Sequence, residues 1–159
     1  MEKAALLDTS FFLRLLNEND PLCKNAEGYY RYFLEKEIPM MISTIATGEF
    51  CVKGNLDELP MKDLQILPYN LSHSLVAGNF AKILFYQRNS GNLDVNRVII
   101  PNDVKMFAQA DREDKIGYYV TSDRASGDMI SYLLKELKMN FSFINIETGY
   151  SEYFGILDL

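Results

Sequence analysis

The chain predicts an α/β protein built on a mainly parallel sheet covered by helices on both faces. Three observations carry this reading. Five short apolar segments recur along the sequence, amphipathic stretches of helical period separate them, and no segment shows the long alternating pattern of an antiparallel sheet. A three-layer α/β/α sandwich around a five-stranded sheet follows. With 159 residues there is enough chain for one core and too little for two, so one domain over residues 1–159 is expected.

Taken in order, Ala4–Asp8 is an apolar run that ends on a carboxylate. Phe12, Leu15 and Leu16 then repeat at helical spacing, with Thr9 or Ser10 placed to cap. Pro21 can open a second helix, whose stripe of Ala26, Tyr29, Tyr30 and Phe33 reaches Glu37. Pro39–Ser43 reads as a buried strand and Thr44–Val52 as a helix, and Gln65–Pro68 makes a third strand. Ser72–Arg88 gives the clearest helical pattern, with Val76, Phe80, Ile83 and Leu84 on one face. Asn89–Asp94 is a polar surface loop. A helix over Asp103–Asp111 turns Val104, Phe107 and Ala108 inward. Tyr118–Ser122 is the fourth strand, and Ser126–Lys138 is a helix with Ile130, Leu133, Leu134 and Leu137 inward. Phe141–Ile146 is the fifth strand.

Bulk composition narrows the function. Apolar residues make up 48% and charged ones 24%, as in an ordinary globular protein. The start shows no secretory pattern and no apolar run reaches the ~20 residues of a membrane span, so the expected location is the cytoplasm, with no membrane partner. Net charge is −6 and the pI ≈ 4.8, which argues against a broad basic face that coats nucleic acid. Cys23 and Cys51 stand far apart without metal spacing and read as reduced thiols. His73, the only histidine, has no motif around it and reads as a surface or capping residue, so zinc and Ser-His-Asp chemistry find no support.

In open α/β sheets ligands bind beyond the carboxyl ends of the strands, where strand order reverses. Four acids fall at or near that end: Asp8, Glu49, Asp103 and Asp123. Each has an ordinary explanation at a helix start, and Asp103 is explained almost as well in that way. Asp8 is harder to dismiss, since an acid directly after Ala-Ala-Leu-Leu does little for stability. Packed together, like charges repel unless a cation sits among them, and oxygen donors select a hard cation such as Mg²⁺ or Mn²⁺. That chemistry suits phosphodiester hydrolysis.

Four segments carry a resemblance to a known family. Leu6-Leu7-Asp8-Thr9-Ser10 resembles the opening motif of PIN domains, and Ser43-Thr44-Ile45-Ala46-Thr47-Gly48-Glu49-Phe50 is similar to their second. Asp103-Val104-Lys105-Met106-Phe107-Ala108-Gln109-Ala110 resembles the helix that bears their third acid, and Tyr119-Val120-Thr121-Ser122-Asp123 the strand that ends on the fourth. The order matches from about Ala4 to Ile146. The resemblance implies a five-stranded parallel sheet between helices and Mg²⁺- or Mn²⁺-dependent cleavage of single-stranded RNA. It also implies Asp8, Glu49, Asp103 and Asp123 as metal ligands or water-positioning acids, with Ser10 and Thr121 as polar support. Small members of the VapC type are toxins neutralised by an antitoxin and form homodimers, so both partners are expected. Self-association is assigned to Val76, Phe80, Leu84 and Phe85. Asp128 reads as a solvated helix residue rather than a second metal ligand.

Other readings fare less well. A haloacid-dehalogenase-type phosphotransferase needs a second Asp two residues after the first, where this chain has Ser10. A receiver domain lacks its acid pair, and no phosphate-binding glycine loop occurs. A PIN-like module that binds RNA or protein without cleaving it is the alternative. Tyr29, Tyr30 and Tyr32 could stack on bases or fill a partner interface in such a module, although helix packing is the better account of them.

Overall fold

The computed structural model describes residues 2–157. Five strands, β1 (Ala4–Leu7), β2 (Met40–Ser43), β3 (Leu64–Leu67), β4 (Ile116–Thr121) and β5 (Ser142–Asn145), form one sheet in the order β3-β2-β1-β4-β5. Every pairing is parallel, with Leu7 opposite Ile42 and Val120, and Thr121 opposite Asn145. The central strands β1 and β2 are buried along their whole length, as expected of a sheet covered on both faces. The edges are not: β3 leaves Gln65 and Ile66 exposed.

Among the described residues seven α-helices flank the sheet: α1 (Thr9–Leu15), α2 (Cys23–Glu35), α3 (Thr44–Phe50), α4 (Leu71–Asn89), α5 (Ile100–Arg112), α6 (Arg124–Glu136) and α7 (Tyr150–Tyr153). Two adjacent tyrosines of β4 show how the layers divide, because successive side chains leave opposite faces of a strand. Tyr118 meets Phe154 just past α7, and Tyr119 meets Phe107 of α5. Helices α1, α2 and α7 pack on the first face, and α4, α5 and α6 on the second.

Boundaries differ from the sequence expectation where side chains compete to cap. Asp8, not Thr9 or Ser10, caps α1, its carboxylate accepting from Phe11 N–H at 3.0 Å. Pro21 lies in a turn, and α2 begins two residues later. Helix α3 stops at Phe50, short of Val52, and β4 begins two residues earlier than expected.

Other differences concern which faces are covered. Phe80 and Leu84 are buried in the core, so they offer no surface for self-association, and Val76 and Phe85 are half-buried. Leu134, expected inward, is 53% exposed because α6 buries only the narrower stripe of Met129, Ile130 and Leu133. Tyr29 is buried, and Tyr32 stacks on Phe154 with ring centroids 4.5 Å apart, which assigns these rings to packing. His73 is fully buried rather than on the surface: it joins Asn70 in capping α4, and its Nε2 stands 2.8 Å from Glu113 at the end of α5. Both cysteines are free, Cys23 buried and Cys51 exposed.

Gly117 marks an irregularity beside the central strand. The register between β1 and β4 slips there, Ala4 facing Ile116 and Ala5 facing Tyr118, so Gly117 is the extra residue of a bulge. A Cβ at this position would stand 2.5 Å from the Cβ of Lys3, the residue just before β1, whose backbone is held beside β4 by the Ala4 N–H donated to Lys115 C=O. Gly117→Ala is expected to destabilise the fold by about 1–3 kcal/mol, read by chemical denaturation. An unchanged midpoint would show that Lys3 moves aside freely.

Candidate active site

The strand order places the site. From β1 the chain builds outward through β2 to β3, then crosses by α4 and α5 to the other side of β1, where β4 and β5 follow. The reversal lies between β1 and β4, and the crevice beyond their carboxyl ends is where such sheets bind ligands. Asp8 follows β1 directly and Asp123 lies two residues past β4.

Asp8 is buried and tied down from both strands. Its N–H donates to Val120 C=O at 3.1 Å. One carboxylate oxygen accepts from Ser10 Oγ at 2.7 Å and from Phe11 N–H, and the other accepts from the Thr121 hydroxyl. Thr121 Oγ1 in turn accepts from Asp123 N–H at 3.0 Å, and Ser10 Oγ accepts from Ser122 N–H at 2.9 Å. Ser10 and Thr121 thus lock the ends of β1 and β4 together around the Asp8 carboxylate. Burial nevertheless dominates, lifting Asp8 from the usual 3.8 to about 6 against the lowering effect of Thr121, Ser10 and Phe11.

Asp103 comes from the first turn of α5 and is half-buried. It does not cap that helix; its carboxylate turns to α6, where Ser126 Oγ donates to Oδ2 at 2.9 Å. Burial raises it to about 7, opposed by the Ser126 bond and reinforced by the charges of Asp123, Asp8 and Glu49. Glu49 on α3 accepts from Thr9 Oγ1 at 2.6 Å and from Asn102 Nδ2 at 3.2 Å. Asp123 caps α6 through Ala125 N–H at 2.9 Å. Four separate segments therefore bring four acids within electrostatic reach of one another at one end of the sheet. Asp128 faces solvent.

The donor set suits a hard divalent cation, since every candidate ligand is a carboxylate oxygen. As the side chains stand, no three His, Cys, Asp or Glu among the described residues are poised to grip an ion together. Each of these carboxylates instead accepts a local hydrogen bond, from Thr121, Ser126, Thr9 and Ala125 N–H respectively for Asp8, Asp103, Glu49 and Asp123. Mg²⁺ keeps several of its waters in protein sites, so binding partly through water is compatible with such spacing.

A cleft of ≈ 820 Å³ opens beside the acids, lined by Ser10, Arg14, Asp20, Asp123, Arg124 and Glu147 among others. Its two arginines are paired, Arg14 with Asp20 at 2.7 Å and Arg124 with Glu147 at 2.9 Å. The sequence offered Thr9 only as a helix cap and gave no site role to Asn102, Ser126 or Arg14. Thr9 and Asn102 each adjoin a candidate acid in the chain, a usable signal, whereas the roles of Ser126 and Arg14 depend on contacts across the fold.

Comparison with known proteins adds the fold's relatives. No family model and no curated protein matches the chain. Solved structures do. A chain of VapBC2 from Rickettsia felis, bound to a DNA fragment from their promoter, superposes with a TM-score of 0.58 at 16% identity, covering 89% of this chain and 98% of that one. FitAcB from Neisseria gonorrhoeae gives 0.59 at 14% identity, with 91% and 99% covered. VapBC-1 from nontypeable Haemophilus influenzae gives 0.58 at 15%, again with 91% and 99% covered. At such identities the likeness speaks for architecture, and with the parallel sheet in the order β3-β2-β1-β4-β5 between two helical layers it shows that this chain has the PIN-like fold.

Proposed function

We propose that this protein is a Mg²⁺- or Mn²⁺-dependent endoribonuclease that cleaves single-stranded RNA, with Asp8, Glu49, Asp103 and Asp123 holding the metal and its waters. The observation that carries the reading is the meeting of four acids from four segments at the sheet's switch point, Asp8 among them buried. Burying ionisable acids side by side costs stability that a merely structural site would avoid.

When bound, the cation supplies Lewis acidity toward the phosphodiester and eases deprotonation of water near neutral pH. The chain's own residues do the positioning. Ser10 and Thr121 fix both oxygens of Asp8, Ser126 fixes one of Asp103, and Thr9 with Asn102 fixes Glu49. Arg14 and Arg124 line the adjoining cleft, where backbone phosphates can compete with Asp20 and Glu147 for the guanidinium groups. The test is cleavage of a labelled single-stranded RNA, expected with Mg²⁺ or Mn²⁺ and lost on chelation; cleavage untouched by EDTA would exclude the metal reading.

The toxin role, with an antitoxin partner, rests on the motif resemblance and the likeness to VapBC structures. Growth arrest on expression, relieved by co-expressing a protein encoded next to it, would support that role, and unaffected growth would count against it. Self-association belongs to the same reading and shifts to Leu71 and Leu75 of α4, 76% and 71% exposed. Leu75→Asp should weaken dimers in sedimentation, while a parent that sediments as a monomer removes the proposal. The non-catalytic alternative is favoured by one fact, the absence of three poised ligands among the described residues. Metal-dependent cleavage would decide against it.

A further inference from the structure

We propose that Tyr119 is a positioning residue of this site, its hydroxyl serving as the buried donor that orients the Asp8–Asp103 carboxylate pair for a divalent cation. The inference rests on the metal-site reading above. Tyr119 and Thr121 leave the same face of β4, and the Thr121 hydroxyl already binds Asp8. The Tyr119 ring lies edge-on to Phe107 at 5.2 Å between centroids, and Phe107 sits one turn beyond Asp103 on the same face of α5. The ring is therefore packed between Phe107, on the turn of α5 that follows Asp103, and Phe141.

Its hydroxyl is fully buried and has no hydrogen-bond partner among the described residues. The charges that act on it are those of Asp8, Asp103, Glu49 and Asp123. A buried hydroxyl left unpaired is costly, and phenylalanine would fill the same space without that cost. Packing therefore explains the ring and leaves the oxygen unexplained. The other orphaned side-chain atom among the described residues, Gln109 Oε1, differs, because the amide is anchored through Nε2 to Leu67 C=O at 3.3 Å. The acceptor we assign to Tyr119 is Asp103, whose charge acts on the hydroxyl: its Oδ2 is taken by Ser126, and among the described residues nothing donates to Oδ1. A hydroxyl donated there, directly or through one water, fixes which carboxylate oxygen faces the ion. Partners of this kind, which touch the ligand rather than the metal, tune affinity substantially.

The experiment is calorimetric titration of Mn²⁺ into the full chain, comparing the parent, Tyr119→Phe and Tyr118→Phe, with metal-free melting temperatures measured alongside. Tyr119→Phe is expected to bind Mn²⁺ about ten-fold more weakly while melting at or above the parent temperature. Tyr118→Phe, altered on the opposite face, should leave Mn²⁺ affinity unchanged. Parent-like affinity in Tyr119→Phe would overturn the proposal, as would an affinity loss accompanied by a lower melting temperature or shared by Tyr118→Phe. A parent that does not bind Mn²⁺ at all would instead overturn the metal-site reading, and the role of Tyr119 with it.

Discussion

Asp8→Asn is expected to reduce metal-dependent RNA cleavage by about 1000-fold or more, with the metal-free fold intact. The substitution keeps the side-chain shape and removes one negative charge from the switch-point crevice. Asp8 stands where β1 and β4 are tied together, with Ser10, Phe11 and Thr121 all bound to its carboxylate. Asparagine retains a carbonyl oxygen for Ser10 and Phe11, and its amide can donate to Thr121 once that hydroxyl rotates. The fold should therefore survive. Above pH 7 it should even gain slightly, because burial makes the ionised aspartate costly and the amide carries no charge. Asp128→Asn is the matching control: its side chain is exposed on α6, so cleavage and melting should stay at parent values. If Asp8→Asn cleaves RNA as fast as the parent, the carboxylate is a helix cap and no more.

Much of this could be read from the chain because its signals are local. The strands announce themselves as contiguous apolar runs, and Asp8 and Asp123 follow their strands within two residues. What escaped depends on contacts distant in sequence. Periodicity shows that Phe80 and Leu84 share a face, yet it cannot say that α5 covers that face, so a buried stripe passed for an interface. His73 lies among polar neighbours and reads as exposed, while the Glu113 that holds it is 40 residues away. Ser126 looks like any helix serine until α5 brings Asp103 beside it. Tyr119 reads as one more core aromatic, because a sequence records the hydroxyl but not its lack of a partner.

The metal-free protein should lose stability as pH rises from about 4 to about 7, and divalent metal should reverse that loss. Burial raises Asp8 to about 6 and Asp103 to about 7, both from 3.8 in the unfolded chain. Across that window the unfolded chain has already released these protons while the folded protein still holds them. Unfolding therefore releases protons, and higher pH favours it. The stability tied to these two groups is complete below pH 4 and lost once the pH exceeds both folded values. Allowing for solvent around half-buried Asp103, the combined effect is on the order of 5 kcal/mol. For a domain of this size that corresponds to roughly 10–20 °C in melting temperature. Other acids titrate as well, so the informative quantity is the difference between the parent and an Asp8→Asn, Asp103→Asn double variant, measured in EDTA at pH 5 and pH 8. The parent should drop relative to the variant between those two values. Saturating Mn²⁺ at pH 8 should restore the parent, because the ion binds the ionised carboxylates of the folded state alone, and should do little for the variant. Parallel pH profiles with no response to Mn²⁺ would mean that these carboxylates neither resist ionisation nor meet a cation, and the four acids would revert to ordinary helix-end residues.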